Sequence, residues 1–271
     1  MSDTTSEHQA AVAHRASVER LWTEPVYESC VSGLKVPSAS SVLVAEARCG
    51  YVPSRLLTDT PEDTRIIALD PSRAMLDQAR TRIDEAGQKR IFFVPQKVSA
   101  LSYADDVFKT TICVNGVASL TQTQDALSEL SRVTQVGGTI VLGVPLLSSF
   151  PEFYDMLDEA LRAHKLTDVL NRTQEMRTGL LNVSRVAELA QAAGLHDVEF
   201  EEVSWDVAFG SGQELLSSAL VRESFYPHWL GVIRSSDRDP ILRYIVDAID
   251  TYWHQDTFSC RIVCGCMKAV K

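Results

Sequence analysis

In the stretch VLVAEARCGYVPSRLL, residues 42–57, two opposite charges and one glycine follow directly on an apolar run: Glu46, Arg48 and Gly50. A strand that turns tightly into a helix needs backbone that bends without a Cβ in the way, which is the use of glycine in such turns. Gly50 meets that need. Arg48 instead places a long cation there, and Val52 a branched side chain unsuited to positive φ. A second apolar run, RIIALD, ends on Asp70, whose carboxylate can accept hydrogen bonds from a ligand or cap the helix that begins around Pro71. After a third run, RIFFV, Lys97 offers donors and no acceptor.

Other residues with chemical potential are read as structural. In CRIVCGC, Cys260, Cys264 and Cys266 share one face of a strand of period two. A structural zinc centre needs four ligands, and only His254 lies near in sequence, so no metal is expected and buried, reduced thiols are. His164, His196, His228 and His254 are scattered, with no partner pattern of a general base. The segment VNGVASLTQ holds Asn115 and Ser119 without a recognisable catalytic constellation, and the catalytic residue is unknown.

Around these positions the chain alternates short β-branched runs with helical stripes: SVLVA, RIIALD, RIFFV, TTICVN and GGTIVLGV. Runs without polar alternation fit strands covered on both faces, so the first five strands are expected to be parallel. Met75, Leu76, Ala79 and Ile83 form one intervening helical stripe; Ala126, Leu127, Leu130 and Val133 form another, before the Gly137–Gly138 turn. A helical N-terminal segment occupies residues 1–40, with helix from about 7 to 34, and one α/β domain fills residues 41–271. Within it, VEFEEVSWDVAF and the closing strand FSCRIVCGC flank a helical insertion at about 211–256. The insertion opens on a capping box at Ser211 and Glu214. Its FYPHWL carries Phe225, Tyr226 and Trp229, read as a lid or interaction face beside the pocket, or as aromatics that anchor the insertion.

The 271 residues carry a formal charge of −10 and no basic run, which disfavours nucleic acid as a partner. The start, MSDTTSEHQA, lacks the basic and apolar pattern of a secretion signal, and no apolar run is long enough to span a membrane. A soluble, intracellular, cytoplasmic protein is expected.

The run IIALDPSRAMLDQAR, and the longer LSYADDVFKTTICVNGVASLTQTQDALSELSRVTQVGGTIVLGVP, resemble class I S-adenosylmethionine-dependent methyltransferases, most closely the small-molecule branch. The resemblance covers residues 42–145 in ordered motifs. It implies a Rossmann-like methyltransferase fold: a seven-stranded, mostly parallel sheet with helices on both faces. It also implies cofactor positions at Glu46 (methionine amino group), Gly50 (first turn) and Asp70 (ribose). The family's acidic-x-Gly-x-Gly-x-Gly turn is matched with Glu46 as the acidic residue and 48, 50 and 52 as the glycines, so Arg48 and Val52 depart from it. Lys97 departs where relatives carry an acidic acceptor for adenine. Framework retained and ligand positions altered describe a degenerate member, a pseudoenzyme with no or weak S-adenosylmethionine binding that acts as an interaction or regulatory module. Two alternatives stay open: an active, divergent small-molecule methyltransferase, and a pocket in which Arg48 and Lys97 recognise an anionic ligand. The partner is accordingly a protein or a small molecule.

Overall fold

The computed structural model describes residues 2–114, 120–254 and 256–271. Seven strands form one sheet: β1 Ser41–Ala45, β2 Arg65–Leu69, β3 Ile91–Val94, β4 Phe108–Cys113, β5 Thr134–Pro145, β6 His196–Phe209 and β7 Phe258–Val270. Their order is β3-β2-β1-β4-β5-β7-β6. Pairings among the first five are parallel, with Val42 opposite both Ile66 and Thr110. β7 runs the other way. Gly137 N–H donates to Lys271 O (2.8 Å) and Leu146 N–H to Val263 O (2.9 Å), so position falls along β7 as it rises along β5. The chain order reverses between β1 and β4, and the carboxyl ends of those strands are where an open α/β sheet leaves a crevice.

By its contacts the chain forms two compact units. One runs to Val144 and takes up Leu181–Val203 and Gly265–Lys271; the other comprises Pro145–Leu180 and Ser204–Cys264.

In the first unit the β-branched runs are fully buried on β1 (Val42, Leu43, Val44) and β2 (Ile66), as strands covered on both faces require. Ala126, Leu127, Leu130 and Val133 form the buried face of the helix Leu120–Val133. The Gly137–Gly138 pair lies inside β5 instead of ending that helix, near the irregularity where β4 shifts register between Phe108 and Thr110. A Cβ on Gly138 would stand 2.9 Å from Lys109 O, so this close backbone approach needs glycine. Likewise Pro71 precedes the cap instead of opening the helix: Ser72 is the N-cap of Arg73–Arg80 and its hydroxyl accepts Met75 N–H. Arg132 ties down the loop before β4 through Asp105, Tyr103 O and Leu101 O at 2.8–2.9 Å.

The N-terminal segment is helical from Ser2 to Val31, with π-helical stretches at His14–Thr23 and Tyr27–Val31. It is covalently joined to β7 by a Cys30–Cys266 disulfide, which corrects the expectation of reduced thiols throughout; Cys49, Cys113, Cys260 and Cys264 are buried thiols outside that bond. Sequence spacing pointed at the three late cysteines, whereas the partner that matters lies 236 residues away.

In the second unit the helices Gly212–Ser217, Val221–Phe225, Tyr226–Gly231 and Ser235–Tyr252 lie between β6 and β7. Ser211 Oγ accepts Glu214 N–H at 3.0 Å, while the Glu214 carboxylate reaches back to Gly210 N–H at 2.7 Å. Pro227 sits in the first turn of Tyr226–Gly231, where a missing N–H costs nothing. Trp229 is 1% exposed and stacks on Phe153 with centroids 3.6 Å apart, flanked by Phe225 and by Phe150 edge-on. Phe225 is buried as well, and Tyr226 is half-buried. Two of the three aromatics of FYPHWL thus pack internally in this unit.

Truncating such side chains removes transfer energy and leaves a cavity, about 3–5 kcal/mol for a large aromatic. Trp229→Ala is therefore expected to lower the unfolding midpoint far more than Tyr226→Ala, measured by urea denaturation of both variants side by side.

Candidate functional site

At the carboxyl end of β1 the backbone is left-handed at every second residue: Glu46 (φ 51°), Arg48 (φ 48°) and Gly50 (φ 82°). Glycine occupies such backbone freely; for Glu and Arg it costs about 1–2 kcal/mol each. Gly50 is required twice over, because a Cβ there would lie 2.6 Å from Ala79 Cβ on the helix Arg73–Arg80. Val52 corrects the sequence expectation: it is a buried residue of the helix Tyr51–Asp59, with no positive φ to conflict with its branching.

Asp70, at the end of β2, has no exposed surface. Its Oδ2 accepts Arg48 N–H at 3.0 Å and its Oδ1 accepts Ser72 N–H at 2.9 Å, so both oxygens serve the protein's own backbone. The Arg48 guanidinium lies 3.9 Å from Asp70 Oδ2 and 3.6 Å from Glu46 Oε2. One cation therefore sits between two buried carboxylates. Burial raises the Glu46 carboxyl above its ordinary range, against the pull of Arg48; Asp70 pushes it further up and the Val98 N–H pulls it down.

The remaining candidates are dispersed. Lys97 is exposed in the turn after β3. His196 and His254 are exposed, bonded to Asp197 and to Thr251 O. His228 is half-buried, with its imidazole held below the ordinary range by desolvation, and His164 meets Tyr244 edge-on. Of the three late cysteines, Cys266 is in the disulfide and Cys260 is a buried thiol raised by desolvation. Asn115 and Ser119 lie outside the described residues.

Residues of the N-terminal segment reach the same crevice, and no sequence motif announced them. Cys49 Sγ donates to Ala11 O at 3.3 Å and contacts Met75 Sδ at 3.5 Å, and burial pushes the Cys49 thiol up to about 12. Trp22 Nε1 donates to Val114 O, just beyond β4, at 2.9 Å. The segment thus bridges the ends of β1 and β4. Amphipathic spacing marks a helix with a face to bury but not the surface that receives it.

A carboxyl raised by burial stabilises the fold fully below its ordinary value and loses that contribution as pH rises through the folded value. For Glu46 the loss begins near 4.5. The stability of the wild type relative to Glu46→Gln should therefore fall as pH rises from about 4, read from paired thermal melts. A pH-independent difference would remove Glu46 as the titrating group.

Residues 44–138 match the family described as "Methyltransferase domain". A "Demethylmenaquinone methyltransferase" of Clavibacter sepedonicus is 34% identical over 77 residues, 28% of this chain and 31% of that protein. "Ubiquinone/menaquinone biosynthesis C-methyltransferase UbiE" of Paracoccus denitrificans is 33% identical over 95 residues, 34% and 37% of the two chains. The alignments thus span about a third of each curated relative. Among solved structures, a provisionally assigned methyltransferase of Bacillus halodurans C-125 superposes with a TM-score of 0.56 at 16% identity, covering 92% of this chain and 97% of its own. The match to a methyltransferase domain at residues 44–138 thus falls on a seven-stranded sheet whose last strand alone among β1–β5 and β7 is reversed, and the chain shares the fold of that solved methyltransferase.

Proposed function

We propose that this chain is a degenerate methyltransferase-fold protein, in which Arg48 takes the Asp70 carboxylate and the space that S-adenosylmethionine would use, and which acts as an interaction or regulatory module. The observation that carries this reading is the Arg48 guanidinium between Glu46 and Asp70.

The left-handed positions support it. The motif's glycines are needed where φ is positive, and those positions are 46, 48 and 50. On this register, two residues before the one read from sequence, both Glu46 and Arg48 replace glycines. The motif's acidic position then falls at Val44, a fully buried β1 residue with no hydrogen-bonding side chain. Lys97, after β3, offers adenine no acceptor. Three contacts to the cofactor are thereby weakened or lost, each ordinarily about 1–3 kcal/mol when a polar partner is left unsatisfied.

A second reading, an active small-molecule methyltransferase, is favoured by Gly50 and Asp70 in place and by the activities named for the curated relatives. In that case Asp70 must exchange Arg48 for ribose, with the Arg48 side chain swinging outward. The cofactor would supply the methyl group, and the protein's part would be to align the acceptor.

Calorimetric titration with S-adenosylhomocysteine separates the two. Wild-type affinity is expected to be weaker than about 100 µM, where low-micromolar binding corresponds to roughly −8 kcal/mol. Replacing Glu46 and Arg48 together by glycine should tighten it at least about tenfold, or about 1.4 kcal/mol. Adding Lys97→Asp should tighten it further. Low-micromolar binding by the unmodified protein would overturn the degenerate reading in favour of the enzyme.

A further inference from the structure

The Cys30–Cys266 disulfide joins the segment that covers the crevice to a strand of the sheet it covers. From that bond the segment runs back across the carboxyl ends of the strands. Tyr27 meets Asp59 and stands edge-on to Tyr51, Val26 packs where Gly143 leaves room for it, Trp22 bonds Val114 O, and Ala11 seats on Cys49 and Met75. All of these residues belong to the first compact unit.

The buried face of the segment is poorly suited to permanent packing. His14, Glu19 and Thr23 are all buried on it. Glu19 pairs with Arg82, yet its Oε1 has no hydrogen-bond partner, and Arg82 Nε is equally unsatisfied. Burying an ion pair with unsatisfied atoms gives little or no net stability. A tether compensates for weak contacts by keeping the segment at high effective concentration over its site.

The disulfide is also reachable. Cys30 is half-buried, and a cavity of about 290 Å³ lined by Ser29, Cys30, Phe200, Cys266 and Lys268 opens beside it.

We propose that Cys30–Cys266 is a redox latch: oxidised, it holds the N-terminal segment closed over the turn at residues 46–50, and reduced, it lets the segment lift and open that crevice. A small dithiol supplies the two electrons. Its thiolate attacks Cys30 Sγ and expels Cys266 as thiolate; the second thiol then displaces Cys30, leaving two protein thiols and a cyclic disulfide of the reductant. That this crevice is the nucleoside site rests on the proposed function, but the latch itself does not.

The test uses the full chain and no nucleoside. Cys49 lies directly beneath Ala11, whereas Cys113 is buried in β4, so the two thiols separate local lifting from global unfolding. Oxidised protein, protein reduced with dithiothreitol and then desalted anaerobically, and Cys30→Ser are each pulsed with N-ethylmaleimide, and labelling is located by mass spectrometry. Labelling of Cys49 relative to Cys113 is expected to rise at least about tenfold on reduction, as it does when a protecting contact of 1.4 kcal/mol is lost. Cys30→Ser, and Cys266→Ser as a second variant should the first fold poorly, should label at the reduced rate with or without reductant. Equal Cys49 labelling in oxidised and reduced protein, parallel rises at Cys49 and Cys113, or a reductant effect that persists in Cys30→Ser would each overturn the latch. Because the readout is thiol labelling, its outcome is independent of the S-adenosylhomocysteine titration.

Discussion

The buried carboxylate of Asp70 organises the ligand end of the sheet. A carboxylate without solvent is tolerable only when donors surround it, and here they come from two directions: the Arg48 N–H in the turn after β1 and the Ser72 N–H before the helix Arg73–Arg80. These bonds hold the first turn against the end of β2 and lock the helix start into register. They also account for the left-handed backbone of the turn, since unfavourable φ at Glu46 and Arg48 persists only where surrounding contacts over-determine it.

Arg48 makes that constraint specific to this chain. Its guanidinium stands 3.6 Å from Glu46 Oε2 and 3.9 Å from Asp70 Oδ2 and neutralises part of the charge of both. Even so Glu46 stays above its ordinary carboxyl range, because desolvation outweighs the pairing. The site is thus electrostatically self-contained, and any ligand that used Asp70 would have to displace an internal partner.

The second unit is held by a different kind of interaction. Trp229, Phe153, Phe225 and Phe150 stack and cross within one cluster, and Arg177 lies over the Tyr154 ring at 4.3 Å. Large rings with few rotamers pack the insertion between β6 and β7 against Phe150 and the helix Pro151–Ala163, so that its helices need not rely on length or propensity alone. The segment FYPHWL supplies two of these rings and, through Pro227, a helix start that needs no donor.

Much of the architecture was legible from local pattern. The β-branched runs and the intervening stripes at Met75–Ala79 positions and at residues 126–133 marked strands and helices correctly, because a doubly covered strand and an amphipathic helix each impose a period on the sequence. Gly50 and Asp70 stood out for the same reason, since a turn and a strand end each favour particular residue types. Three matters depended on tertiary structure. The left-handed positions were fixed by how the first turn packs on Ala79 and Asp70, and this moved the glycine register away from helical Val52. The burial of Trp229 was decided by Phe153, 76 positions earlier and invisible to any local window. The Cys30–Cys266 bond joins the two ends of the chain, and thiols so distant meet only when the sheet has brought β7 beside the N-terminal segment. Sequence determined what each segment prefers, because preference is set by neighbouring residues; which surfaces and side chains meet was decided by the fold, because contact is a property of distances that chain order does not contain.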